Sequence, residues 1–165
     1  MLTVRPAQIQ DILDINAIYN DVIRNTVATF DTEPKSLEWT KNWLLTHDGD
    51  HPVLVTEYDG SVIAWASLSG WSERPAYSRT AELSIYVRED KRGAGLGRGL
   101  MQAVIDKGKE TGLHTLISRI SAGNEVSFHL HRTFGFEEIG IMREVGFKFG
   151  RWIDVHLYQL LYGKS

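Results

Sequence analysis

The sequence contains no cysteine, which excludes a disulfide framework, a thiol nucleophile and a thiolate metal site. Nor does it contain a run approaching the roughly 18 uncharged apolar residues that a membrane-crossing helix needs. Its opening, MLTVRPAQIQDILDI, has Asp11 and Asp14 where a secretory leader would be apolar. Charge of one sign is also scarce. The formal net charge of -3 at pH 7 supplies no general drive toward nucleic acid or anionic membranes. His129 and His131 stand only two apart and no HExxH occurs, so no metal is expected. No repeat, linker or low-complexity stretch divides the 165 residues. The expectation is one cytoplasmic domain, residues 1–165, with a core of its own and with neither nucleic acid nor membrane as partner.

What is present is a strand-and-helix alternation. Leu2 to Ala7 is a short apolar opening, an edge strand that Pro6 ends. Ile9, Ile12, Leu13, Ile15, Ile18, Tyr19, Val22 and Ile23 recur at spacings of three and four, which predicts an amphipathic helix. Ser36, then Trp39, Trp43 and Leu44, suggests a second helix. HPVLVTEYDGSVIAWASLSGW reads as a hairpin turning at Asp59-Gly60. Thr80 to Arg88 is a further strand, with Ala81, Leu83, Ile85 and Val87 on its apolar face. A helix follows from Gly95 to a stop at Gly112, then a strand His114–Ile120, a short helix Asn124–Phe134 stopped by Gly135, and strands Phe136–Val145 and Trp152–Leu161. The order β-α-α-β-β-β-α-β-α-β-β predicts a mixed α/β domain.

The informative stretch is VREDKRGAGLGRGLM. Here Gly93, Gly95, Gly97 and Gly99 alternate with other residues, behind Arg92 and ahead of the helix. It is not a Walker A loop: the Gly163-Lys164-Ser165 at the tail lacks the required glycine at position 158, which is Tyr. Nor is it GxGxxG, since Arg98 and Leu100 occupy the sixth positions. What remains is an RxxGxG spelling between strand and helix. Glycines let consecutive N–H groups converge on an anion, and the helix N-terminus adds its positive end. Arg88, Lys91, Arg92 and Arg98 supply charge for phosphate. The plainer alternative is a flexible turn with solvated basic residues.

Strand, RxxGxG loop and helix, then Asn124, then Leu130-His131-Arg132-Thr133-Phe134-Gly135-Phe136, resemble the GNAT superfamily of acetyl-CoA-dependent N-acetyltransferases. In the family's common tail motif a tyrosine stands where this chain has His131. The resemblance implies a central twisted, mostly antiparallel sheet whose central strands splay, flanked by helices. It also implies acetyl-CoA as co-substrate, held by Arg92, Gly93, Ala94, Gly95, Leu96, Gly97 and Arg98 at its pyrophosphate. Ile85, Tyr86 and Val87 of the splayed strand and Asn124 would hold its pantetheine. TFDTEP (Thr29–Pro34), RPAYSRTAELSIYV (Arg74–Val87), GNEVSFHLHRTFGF (Gly123–Phe136) and GFKFGRWIDV (Gly146–Val155) further resemble the phosphinothricin and methionine sulfoximine N-acetyltransferases. That narrower resemblance makes Glu82 the general base and gives His131 a place in the site. It implies a small amine acceptor bound by Phe30, Arg74, Tyr77, Glu82 and Ser84, with Arg79 a second candidate cation. It also implies a homodimer, with Lys148, Arg151 and Trp152 at a shared mouth. In the methionine-sulfoximine branch an arginine follows the tryptophan that matches Trp71. Here Ser72 follows, and Arg74 matches the phosphinothricin-type spelling.

Acetyl transfer to an amine needs a held thioester, a deprotonated amine, a stabilised oxyanion and a proton for the leaving thiolate. Glu82 alternates with Ala81, Leu83 and Ile85 and so points to the opposite side of its strand. There it is either a base lining a cleft or an exposed strand glutamate. Backbone N–H groups near Ile85 to Val87 are the natural oxyanion donors. Histidine titrates near neutrality, so His131 is expected to protonate the thiolate or position the amine, His129 being the lesser candidate. Asn124 suits either a pantetheine contact or a helix N-cap. With no cysteine to carry an acyl group, direct transfer is favoured over a covalent relay.

Overall fold

The computed structural model describes residues 1–163; Lys164 and Ser165, with the end of the terminal Gly-Lys-Ser spelling, lie outside the described residues. Strands β1 (Leu2–Pro6), β2 (Val53–Tyr58), β3 (Ser61–Gly70), β4 (Thr80–Val87), β5 (Thr115–Ser121), β6 (Glu137–Lys148) and β7 (Arg151–Leu161) form one 7-stranded sheet in the order β1-β2-β3-β4-β5-β7-β6. Every pairing is antiparallel except that of β4 with β5. Helices α1 (Ile12–Asn25) and α2 (Leu37–Leu45) precede β2, α3 (Leu96–Glu110) connects β4 to β5, and α4 (Glu125–Thr133) connects β5 to β6.

Strand alternation sorts the side chains into two layers. On one face Ala64, Ala66, Leu68, Ala81, Leu83, Leu116 and Ile120 pack against Leu100, Met101, Val104 and Ile105 of α3 and Phe128 of α4. On the other, Val55 and Trp65 meet Ile15 and Ile18 of α1, with Trp43, Tyr19 and Tyr86 closing the cluster. The predicted apolar face Ala81-Leu83-Ile85-Val87 therefore points at α3, and Glu82, Ser84 and Tyr86 point away from it.

The sheet opens at its centre. Parallel β4 and β5 pair only through Thr80 with Thr115, Ala81 with Leu116 and Glu82 with Ile117. Both strands then continue, β4 to Val87 and β5 to Ser121, without pairing to each other. The first residues past the fork meet through a side chain: the Ser118 hydroxyl lies 3.4 Å from the Leu83 carbonyl. Because the Arg88 N–H donates to Ile63 O of β3 at 2.8 Å, alternation turns the backbone groups of Leu83, Ile85 and Val87 the other way, into the gap.

Two boundaries differ from the sequence reading. The first helix begins at Ile12 because residues Ile9–Asp11 form a 3-10 turn, locked where the Asp11 carboxylate accepts from the Gln8 N–H at 2.7 Å and from Arg5 at 2.8 Å. The last hairpin is longer than predicted and tighter. β6 reaches Lys148 and β7 starts at Arg151, across Phe149 and Gly150, which have φ of 52° and 73°, the left-handed pair that suits a two-residue hairpin loop.

Gly108 lets α3 approach the sheet closely. A Cβ there would overlap the Tyr162 hydroxyl and lie 3.0 Å from Leu68 Cδ1, and that hydroxyl donates to Ile105 O at 2.6 Å. Gly108→Ala is therefore expected to destabilise the fold by about 1–3 kcal/mol through overpacking, outweighing the roughly 1 kcal/mol that alanine gains in helix propensity. Urea unfolding measures the difference, and a higher midpoint in the variant would refute the packing argument.

Candidate active site

The gap between β4 and β5 opens into a cavity of about 540 Å³. Its wall takes residues from both faces of β4 (Glu82 to Tyr86) and both faces of β5 (Ser118 to Ser121), so the space passes through the sheet. Asn124, Ser127 and His131 of α4 line one side, Thr29, Phe30 and Asp31 the other, and Met142 and Val145 of β6 complete it. Of the residues predicted from sequence, the fold brings Glu82, Ser84, Ile85, Tyr86, Asn124, His131 and Phe30 onto this one wall.

On the α1 side, Glu82 is one-fifth exposed at 21 %. Its two carboxylate oxygens accept from Arg119 Nε at 2.5 Å and Nη2 at 2.7 Å. That pairing holds the Arg119 guanidinium above its ordinary pKa. Ser84 and Tyr86 follow Glu82 along the same strand face, and burial pushes the Tyr86 phenol up to about 12, so it stays protonated at neutral pH.

The segment between α1 and α2 closes this side. The Tyr19 hydroxyl bonds to Asp31 and to Thr29 Oγ1, and Lys148 Nζ donates to Thr29 O at 2.9 Å. Lys148 is buried, and burial lowers its pKa. The Phe30 ring rests on Gly146, where any Cβ would overlap it. A β-bulge between Met142 and Gly146, in which Glu144 adopts φ 48° and donates its N–H to Asp154 at 2.8 Å, turns the β6 backbone beneath that ring.

On the α3 and α4 side, His131 is 2 % exposed. Its Nδ1 lies 2.8 Å from Ser127 O, a carbonyl that only accepts, so Nδ1 carries the proton. Nε2, 2.8 Å from Ser118 Oγ, is then the acceptor for the Ser118 hydroxyl. Burial lowers the imidazole from 6.5 to about 4. A neutral imidazole with both nitrogens engaged is not a ready proton donor at pH 7, and the acid role expected of His131 does not follow from this geometry. The Asn124 side-chain oxygen caps α4 by accepting from the Ser127 N–H at 3.2 Å, which leaves its amide hydrogens for another partner.

The glycine stretch lies between the end of β4 and α3. Gly93 and Gly95 take φ of 81° and 75° with open space where a Cβ would be. They are required for backbone conformation, not for room inside the fold. Leu96 and Gly97 open α3 behind the Gly95 N-cap, and Ala94 and Arg98 are exposed. Arg92 Nε donates to Val87 O at 3.0 Å, tying the loop to the strand end, while Arg88 is paired with Asp90 at 2.6 Å.

Other predicted residues stand apart from the wall. Arg74 and Tyr77 are exposed on the segment before β4, Arg79 Nε bonds to Gly112 O at 3.0 Å, and Arg151 and Trp152 are exposed at the start of β7. The sequence reading missed Ser118 and Arg119. The alternation within HTLISRI puts Arg119 opposite the apolar face, but its partner emerges only from the register of β4 on β5.

A family model described as "Acetyltransferase (GNAT) domain" matches residues 4–157. The chain belongs to the GNAT acetyltransferase family. With the family comes the activity class, an acetyl-CoA-dependent N-acetyltransferase. This GNAT chain is 41% identical over 160 residues to the L-methionine sulfoximine/L-methionine sulfone acetyltransferase of Pseudomonas aeruginosa, covering 96% of this chain and 93% of that protein. Among solved structures, the ribosomal-protein-alanine N-acetyltransferase of Brucella melitensis superposes with a TM-score of 0.94 at 39% identity, covering 96% of this chain and 99% of that one. A phosphinothricin acetyltransferase of Sinorhizobium meliloti, solved with acetyl-CoA, gives 0.95 at 33% identity, covering 99% and 90%. The observed sheet, open between β4 and β5, is the splayed GNAT architecture that the sequence implied.

The burial of His131 has a consequence for stability. With a folded pKa of about 4 against 6.5, the unfolded chain binds the extra proton between those values. Stability is therefore complete above pH 6.5 and falls as pH drops toward 4, with a slope of up to about 1.4 kcal/mol per pH unit. His47, lowered by burial as well, adds to the same window, so the contribution is isolated by difference. Denaturant unfolding between pH 4.5 and 7 is expected to show a shallower slope for His131→Asn than for wild type, and parallel slopes would contradict the assignment.

Proposed function

We propose that this acetyltransferase moves the acetyl group of acetyl-CoA directly to the α-amine of a small amino-acid analogue, of the methionine sulfoximine, methionine sulfone or phosphinothricin type, within a ternary complex. The observation that carries this reading is Glu82 on the cavity wall at the last paired residue before β4 and β5 part. A base there sits where a donor threaded through the gap would meet an acceptor arriving from the other face.

The donor side fits coenzyme A by its chemistry. Left-handed Gly93 and Gly95 at the head of α3 offer the N–H-lined start of a helix that a pyrophosphate requires, from Arg92 through Arg98. The backbone of Ile85 and Val87, turned into the gap, supplies strand-like partners for the pantetheine and an N–H for the developing oxyanion. The amide hydrogens of Asn124 add another donor. In this reading Glu82 takes the proton from the acceptor amine, directly or through water. His131 orients Ser118 at the fork and is not itself the acid.

On the acceptor side, Phe30, Ser84 and Tyr86 shape the pocket. Trp71, whose ring lies 5.6 Å from the Arg119 guanidinium carbon, stands just ahead in the chain of the segment bearing Arg74 and Tyr77. A protein N-terminus would need an open groove, whereas the Phe30 segment is clamped over this one.

Glu82→Gln is expected to bind acetyl-CoA with near wild-type affinity by calorimetry while kcat falls by about 10²–10⁴-fold; undiminished turnover would remove the base from Glu82. Initial rates with both substrates varied, across methionine sulfone, methionine sulfoximine, phosphinothricin, a polyamine and an alanine-terminated peptide, test the rest. Intersecting double-reciprocal lines and preference for the amino-acid analogues are expected; parallel lines would mean a covalent relay.

The same reading makes the protein a homodimer. Phe147, Phe149 and Trp152 are all more than half exposed on the β6–β7 hairpin, an apolar cluster of the kind that marks an interface. Sedimentation equilibrium is expected to give twice the 18.7 kDa chain mass, and Trp152→Glu to halve it; a wild-type monomer would refute the dimer.

A further inference from the structure

A small amino acid brings a carboxylate into the cavity, and one question is which cation meets it. Among the described residues lining the wall, Arg119 is the only arginine or lysine. The other basic groups nearby are engaged or outside it. Lys148 is buried against Thr29 O, Arg79 bonds to Gly112 O, Arg92 bonds to Val87 O, and Arg74 is exposed off the wall. His131 is neutral.

A guanidinium has two hydrogen-bonding edges. Arg119 uses the Nε/Nη2 edge for Glu82. Its Nη1 makes no hydrogen bond with any described residue, and the side chain is 53 % exposed, which leaves the Nη1/Nη2 edge without a protein partner on Nη1. An exposed pair of this kind contributes little to stability, but its two hydrogen bonds set the base directly beside the second edge of the guanidinium.

We propose that Arg119 is the receptor for the acceptor's carboxylate, binding it on the Nη1/Nη2 edge while its Nε/Nη2 edge positions Glu82. This rests on the amino-acid reading above. In an α-amino acid the amine and carboxylate share one carbon, so a carboxylate seated on the free edge presents the amine to the carboxylate held on the other. One proton of the acceptor's ammonium passes to Glu82 and the freed lone pair forms the C–N bond; the C–S bond then breaks with its electron pair leaving on sulfur, and the second proton that the nitrogen sheds goes to that thiolate. Arg119 thereby makes selection for α-amino acids and alignment of the base a single geometric act.

The test compares methionine sulfone with its decarboxylated counterpart, 3-(methylsulfonyl)propylamine, on wild type, Arg119→Gln and Arg119→Lys. Wild type is expected to favour the amino acid by about 100-fold or more in kcat/KM. Arg119→Gln is expected to raise KM for methionine sulfone by at least about 10-fold and collapse that ratio, with unchanged affinity for acetyl-CoA as proof of an intact fold. Arg119→Lys, which keeps the charge but not the two-edged fork, is expected to fall between them. A preserved ratio in Arg119→Gln overturns the receptor role. So does an equal loss of kcat on both substrates with KM unmoved, which would leave Arg119 positioning Glu82 only. Wild type that acetylates the peptide or polyamine but not methionine sulfone fails at the earlier step, overturning the amino-acid reading itself.

Discussion

Strands β4 and β5 lie side by side for a few residues and then separate, and the site is organised by that separation. A sheet interior normally leaves no backbone group unpaired, because each buried N–H or C=O without a partner is costly. Here Ile85, with the N–H of Val87, turns backbone groups into a gap that β5 does not fill. A ligand with amides of its own, extended like a strand, can satisfy such groups, and the pantetheine arm of coenzyme A has that form. The fork also puts opposite side-chain layers of the sheet onto one cavity, and in the proposed mechanism donor and acceptor approach from different faces to meet at Glu82.

The two layers supply different kinds of support. On the α3 and α4 face the polar groups are buried and mutually satisfied: Ser127 O fixes the His131 tautomer, and His131 fixes the Ser118 hydroxyl beside the fork. Burial lowers the pKa of the imidazole, and in the proposed mechanism this chain is scaffold. On the α1 face Arg119 holds Glu82 with one edge of its fork, and this pair keeps contact with solvent.

Enclosure comes from segments far apart in the chain. Phe30 lies over Gly146, Lys148 reaches Thr29 O, and Tyr19 ties Thr29 and Asp31 to α1. Gly146 is explained by this approach alone, since a side chain there would push the Phe30 ring from its place.

The sequence by itself determined the element order and which face of each strand is apolar, because alternation and helical spacing are local properties. It also determined the glycine stretch as a helix-capping loop, since left-handed φ at Gly93 and Gly95 is a local demand that glycine meets without strain. Glu82 was legible as an odd residue on an apolar strand, and the motifs around Asn124 and His131 as family signatures. Only the tertiary structure decided what those residues do to one another. The His131 environment depends on Ser118 across a helix–strand contact, and the partner of Glu82 depends on how β4 registers against β5. A register is set by packing between distant segments, and no spacing within either segment encodes it. Arg119 was invisible for that reason: in the sequence it is one strand arginine, and in the fold it is the only arginine or lysine on the cavity wall among the described residues.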